Sequence, residues 1–292
     1  MVFVPRTSSV PVVVDEEKVR ALEEERTRYA RLLEEAPAEA ARWLTDVYDL
    51  ARKALAADPE CTLVETWETW TFAAQYHHAV IAVVTVPRGS EVRWTVEHEE
   101  RVLVSPGPLV VVDRHVWLRT FLMALVCRDE KRVRHLAGID VGRMPLSGEA
   151  RYPGYLLPWI DALRALIEED DRMVPCLRKA MELSDSRRVA SPEIARELDL
   201  LAFPELDLFR AFLGGDPDDF ERTLVRGLEA FDDFHARAGE GAGPGTFPLG
   251  LLALASLALD RARHESDYRM DVRSDHLPRV LLEGFWFGEF PV

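Results

Sequence analysis

Along this chain apolar residues fall at helical spacing nearly everywhere and alternate with polar ones in one place. The densest apolar stretch is the first half of Val116–Leu136. There Val116, Trp117, Leu118, Phe121, Leu122, Met123, Ala124, Leu125, Val126 and Cys127 leave almost no polar face. A helix apolar all round must be enclosed by other elements. At about 12 residues it is too short for a bilayer, which takes roughly 20. The pattern predicts a central core helix that stops at Arg128-Asp129, followed by a basic, solvated helix (Glu130, Lys131, Arg132, Arg134, His135).

Upstream, Val12, Val13 and Val14 suit one short edge strand. Asp15 then caps a helix over about 16–35, with Glu16 and Glu17 in the first turn, where the helix dipole favours acids. A second helix, about 38–57, turns Trp43, Leu44, Val47, Tyr48, Leu50, Ala51, Ala54 and Leu55 toward a core and ends at Asp58-Pro59. A third, about 63–83, carries Trp67, Trp70, Phe72, Tyr76, His77 and His78. It runs into Val80–Val86, β-branched enough to finish as a strand. Val92, Trp94 and Val96 then alternate with Arg93, Thr95 and Glu97. His98-Glu99-Glu100 turns the chain and Arg101–Val104 returns, a hairpin and the one place where sheet is expected.

Downstream, Pro145–Gly154 reads as a loop, and helices follow over about 155–168 and 171–183. Ser191-Pro192-Glu193 has the form of an N-cap, a proline at the first helical position and an acidic first turn. Pro204 breaks that helix from a short apolar one, Leu206–Leu213, closed by Gly214-Gly215. A helix over about 217–237, a glycine-rich loop over 239–250 and an apolar helix at Phe247–Arg263 complete the series. The expected fold is all-α with one small β-hairpin, an array or bundle of about ten helices. No clean repeat period and no long linker appear, so the expectation is a single domain over 1–292.

Composition narrows the function classes. The formal charge is −15, from 51 Asp+Glu against 36 Lys+Arg, which disfavours nucleic acid and anionic membranes as partners. It suits a soluble protein or one that docks on a basic partner. Cys61, Cys127 and Cys176 lack metal or disulfide spacing, and reduced thiols are the expectation. Pro5, Arg6, Ser8, Ser9 and Pro11 interrupt the N-terminal apolar residues, unlike a signal peptide, so the cytoplasm is the expected compartment.

Candidate chemistry is sparse. Neighbouring His77 and His78 point about 100° apart on a helix, so one metal does not readily take both. Phe231-Asp232-Asp233-Phe234-His235 superficially resembles the Mg²⁺-holding acids of helical terpene cyclases, but the second metal-binding cluster is missing. Asp170-Asp171 and Asp218-Asp219 sit where helix capping explains them. No phosphate loop of P-loop or dinucleotide form and no GxSxG elbow occurs, and Cys127 lies where burial makes a thiol inert. No cofactor, metal or catalytic residue is expected.

One resemblance goes further. Ser274-Asp275-His276-Leu277-Pro278, then Leu281-Leu282, then Trp286-Phe287-Gly288-Glu289-Phe290-Pro291 is similar to the C-terminal signature of the immunity protein 49 family. Trp117-Leu118-Arg119 through Val126-Cys127-Arg128-Asp129 resembles that family's central helix. Tyr155 to Leu163, with Trp159 and Asp161, resembles the helix that follows it. Pro204–Phe212 and Phe247–Asp260 agree in order and spacing. The resemblance covers roughly 110–292 as a helical core, with 1–109 contributing helices and the hairpin.

It implies a helical protein of polymorphic-toxin systems, of a kind frequent in actinobacteria, that neutralises a cognate protein toxin by stoichiometric binding. The toxin and the oligomeric state stay open. Two other classes remain: a helical protein-binding scaffold of a biosynthetic or regulatory operon, and a helical-cavity enzyme such as a terpene cyclase or metal hydrolase. Motif or partner-binding candidates are Trp117, Arg119, Arg128, Asp129, Trp159, Asp161, Asp275, Trp286, Glu289 and Phe290. Arg119, Arg128 and Asp129 are expected in buried ion pairs at the ends of the central helix. Ser274 or Asp275 is expected to cap a final helix over 277–285, with Trp286, Phe287 and Phe290 folding back as a latch.

Overall fold

The structure is a computed structural model, and it describes residues 2–7, 14–144, 154–236 and 245–285. Helices dominate, and by packing the chain falls into two compact units, Met1–Val10 with Gly148–Glu283 and Pro11–Ser147 with Gly284–Val292. Strand β1 (Val2–Val4) belongs to the former.

The second of these units is built from α1 (Glu16–Glu35), α2 (Pro37–Ala40), α3 (Leu44–Ala57), α4 (Val64–Val84), the antiparallel strands β2 (Glu91–Val96) and β3 (Glu99–Val104), α5 (Arg114–Val126) and α6 (Glu130–Ala137). Asp15 caps α1 by accepting from the Lys18 N–H at 3.1 Å, and Asp113 and Asp129 cap α5 and α6 in the same way. α5 is buried on nearly every side, as its composition requires. α4 is more so: it is buried almost without a break from Thr66 to Val84 and packs on α1, α3, α5 and β2. Its polar residues hide that role in the sequence, although several find partners inside. Thr69 Oγ1 donates to the Glu65 carbonyl and Tyr76 Oη to the Ala40 carbonyl. Burying one large aromatic stabilises by about 1.5–3 kcal/mol. Trp70, Phe72 and Tyr76 from this helix are all inside.

Three expectations change here. Val80–Val84 stays helical rather than turning to strand, because the neighbours enclosing α4 satisfy β-branched side chains equally well. The hairpin turns at Glu97-His98, both left-handed (φ 55° and 62°), the backbone of a two-residue turn whose twist matches the strands. Trp43 is 41% exposed, in a 3₁₀ turn ahead of α3, with one face toward Tyr29. The strand expected at Val12 and Val13 lies outside the described residues, and Val14 is not in a strand.

The other unit holds α7 (Leu156–Glu168), α8 (Met173–Leu183), α9 (Pro192–Glu197), α10 (Phe203–Gly214), α11 (Pro217–Ala236), α12 (Leu249–His264), β4 (Val272–Ser274) and α13 (Arg279–Glu283). Ser191 caps α9 as expected, accepting from the Ile194 N–H. Pro204 does not break the chain into separate helices. A π-turn at Leu198–Ala202 joins α9 to α10, so the proline, which has no N–H to donate, sits in the first turn of α10. Gly215 ends α10 with φ 73°. A second, parallel pairing of β1 with β4 appears, Phe3 opposite Arg273. Strands this short carry no alternation that would mark them. The final helix begins only at Arg279, because Ser274 belongs to β4 and its hydroxyl accepts from the His276 N–H. No helix among the described residues is long and apolar enough to cross a membrane.

Candidate functional site

The residues nominated from sequence divide by burial. Trp117 and Trp159 are enclosed in their cores. The Trp117 indole N–H donates to the Leu136 carbonyl at 3.1 Å and its ring stacks on Phe121, while Trp159 meets Phe209 edge-on. Asp129 makes the buried ion pair expected at the end of α5, but with Arg132, one turn further on. Arg119 instead lies over the Tyr48 ring, 4.6 Å from its centre. Arg128 takes a left-handed backbone (φ 54°) between α5 and α6, and its guanidinium donates to the Val126 carbonyl. Asp161 sits half-buried near Arg164 on α7. Asp275 is exposed and accepts from the Arg6 N–H at 3.1 Å. Trp286, Glu289 and Phe290, and the latch expected of them, lie outside the described residues.

The most organised polar structure lies under the β2–β3 hairpin. Arg26, buried on α1, donates to Glu68 and to Thr69 Oγ1, and its Nε lies 3.1 Å from a carboxylate oxygen of Glu97 in the hairpin turn. Gln75 of α4 accepts from the Glu97 N–H at 3.0 Å. Arg101 of β3 donates to the Val96 carbonyl, to Glu34 of α1 and to Glu99. Arg132 of α6 donates to the Thr95 carbonyl as well as to Asp129. His78 and His135 meet at 3.0 Å beside the Trp94 ring, with Lys131 over that ring's face. These contacts clamp one face of the hairpin to α1, α4 and α6. They hold Glu97 and His98 in a conformation that L-residues adopt at a cost. The opposite face carries Glu91, Arg93, Glu100, Val102 and Val104 to solvent.

Sequence reading missed these anchors. One signal was present: Arg26 stands at helical spacing within the buried stripe Leu22, Tyr29, Leu33. A charge on a core stripe implies a buried partner.

The remaining titratable groups are engaged structurally. Burial pushes His77 down to about 3, and its Nδ1 lies 2.8 Å from the Ala73 carbonyl. His78 is driven well down by burial and by Arg132 nearby. Burial raises Cys61 and pushes Cys127 up to about 12. Asp232, nominated for its likeness to a Mg²⁺ site, takes a hydrogen bond from the Thr7 hydroxyl and lies 3.2 Å from His276 Nε2. Burial and the charge of Arg6 hold that imidazole down to about 4. An open groove of about 560 Å³ runs beside Val2, Asp218, Asp219, Glu221, Arg222, Val225 and Arg226. Its carboxylates pair with Arg269 and Arg210 or accept the Asp271 N–H. Among the described residues no group of three or more His, Cys, Asp or Glu is placed to hold a metal ion.

The fold thus defines a class: a mostly helical protein with a rigidly anchored hairpin inserted between two core helices. A family model, Immunity protein 49, matches residues 58–281, well over half of the chain. The chain belongs to the immunity protein 49 family. No curated protein and no solved structure matches it.

Proposed function

We propose that this protein neutralises a toxin protein by binding it in a stoichiometric complex without turnover, in the cytoplasm of the cell that makes it. The match to Immunity protein 49 over 58–281 carries the reading. Two features support it over a helical-cavity enzyme. His77 is packed solid in α4 rather than lining a chamber. Asp232 is committed to Thr7 and the His276 side. The charge of −15 favours a basic partner surface, such as the positively charged active site of a toxin.

Co-expression tests the proposal. The gene adjoining this one is induced in a sensitive host with and without this chain, and growth and complex formation are followed. Rescue together with a one-to-one complex on gel filtration is expected. A toxic neighbour that kills equally well in the presence of this chain would remove the proposal.

A further inference from the structure

Strand β3 displays an open backbone edge. The Ser105 N–H donates to the Ser90 carbonyl at 2.8 Å, one step beyond the Glu91–Val104 pair. Antiparallel ladders alternate, so from that bond the exchanged pairs are Val92–Leu103, Trp94–Arg101 and Val96–Glu99. The backbone groups of Glu91, Arg93 and Thr95 therefore point off the β2 edge, and those of Glu100, Val102 and Val104 off the β3 edge. On the β2 side Arg132 takes the Thr95 carbonyl. On the β3 side neither the N–H nor the C=O of Glu100, Val102 or Val104 has a hydrogen-bond partner among the described residues.

Native sheets usually protect such an edge with lysine, proline, brevity or a covering element. β3 is six residues long, contains neither lysine nor proline, and ends in Val102-Leu103-Val104. Val102 and Val104 are 37% and 52% exposed, and Val110 and Val111 shortly after the strand are 73% and 50% exposed. Beneath this edge the hairpin is fixed by Arg26, Arg101 and Arg132, so an incoming strand meets a preorganised template.

Charge selects the occupant. The outer face of the hairpin carries Glu91 and Glu100 with Arg93 between them, 3.6 Å from Glu100, while Glu97 and Glu99 are taken up by Arg26 and Arg101. A second copy of this chain would bring its own glutamates and a further −15 to the same edge. A basic strand meets no such repulsion.

We infer that β3 is the docking edge for the partner protein, which adds an extended segment as a third strand. Apolar side chains of that segment lie beside Val102 and Val104, and a basic one lies beside Glu100. Main-chain bonds supply affinity and the alternate side chains supply selectivity. The inference rests on the binding role proposed above for the partner's identity, but the edge is tested separately.

The probe is a blocked peptide that alternates threonine and valine with a lysine at each end, titrated into the full chain while amide exchange is read residue by residue. Slowed exchange at Glu100, Val102 and Val104 is expected, with affinity at least about tenfold weaker for the same peptide ended by glutamates. Val102→Pro removes an outward N–H without touching the hairpin's own bonds, and it is expected to weaken binding at least about tenfold. If exchange at Leu103 shows that this variant loosens the hairpin, Val104→Lys replaces it, setting a positive charge against the basic strand with the same expected loss. Absent protection, equal binding of both peptides, or dimerisation of the free chain through β3 overturns the inference. A Val102→Pro chain that still neutralises the neighbouring toxin also overturns it, and leaves the immunity reading standing. A wild-type chain that neutralises no toxin yet protects β3 with the lysine peptide keeps the edge and removes the immunity reading.

Discussion

Arg132 is buried with its partner Asp129. Truncating one member of such a pair leaves the other uncompensated in low dielectric. Arg132→Ala is therefore expected to lower stability by about 3–5 kcal/mol, read as a shift in the urea midpoint at unchanged slope. A loss below about 1 kcal/mol would show that water reaches Asp129. The pH response divides by sign. His77 and His276 are held down by burial, to about 3 and about 4, so the unfolded chain binds more protons below pH about 6.5. Their contribution is present at neutral pH and is lost as pH falls from about 6.5 through those values. Glu205 runs the other way. Burial raises its carboxyl to about 7, opposed by the Gly250 N–H it accepts. The folded chain then holds the proton more tightly, and stability falls as pH rises from about 4.5 to about 7. The effect is no more than about 3 kcal/mol, and less for a residue that is part exposed. Glu205→Gln is expected to flatten that limb in urea titrations between pH 4.5 and 7.5. An unchanged profile would place the carboxyl in water.

At the scale of elements, the hairpin depends on tertiary contacts for its turn. Neither Glu97 nor His98 is the glycine that adopts a left-handed backbone without cost. Arg26 and Gln75 hold the turn from α1 and α4. Arg26→Ala is expected to speed amide exchange across 91–104 at least about tenfold while α7–α13 keep their rates. Equal exchange in the variant would mean that the ladder alone sets the turn. Gly215 tests an ordinary helix end: its φ of 73° and the Arg261 guanidinium 3.3 Å from where a Cβ would stand predict a loss of about 1–2 kcal/mol for Gly215→Ala. Helix existence was legible where apolar residues kept a single spacing, as in α1, α7 and α11, or ran almost unbroken, as in α5. Boundaries were legible where a cap named them, at Asp15 and Ser191. The run through Pro204 was not legible, because a π-turn is set by how α9 and α10 meet and leaves no pattern of its own.

For the whole molecule the governing quantity is charge. With −15 spread over the chain and a Debye length of about 8 Å at physiological salt, the basic partner proposed above would be drawn in quickly, by an attraction that fades as salt rises. The association rate with the cognate toxin is expected to fall at least about tenfold between 50 and 500 mM salt, with the dissociation rate much less affected. A rate indifferent to salt would place the recognition in apolar contacts alone.

Hydrophobic spacing by itself determined the helical class, the core position of α5 and the hairpin between α4 and α5. Burial of an apolar face is a local demand that each stretch states in its own residues. The motif around Ser274–Pro278 pointed to the family for the same reason: it is a contiguous string. What the tertiary structure decided were pairings between residues far apart in the chain. These are Arg26 with Glu97, Arg101 with Glu34, Arg132 with Thr95, and β1 beside β4. An arginine in a sequence looks like a solvated charge until packing removes the water around it, and a strand edge looks satisfied until the ladder shows which side is left open.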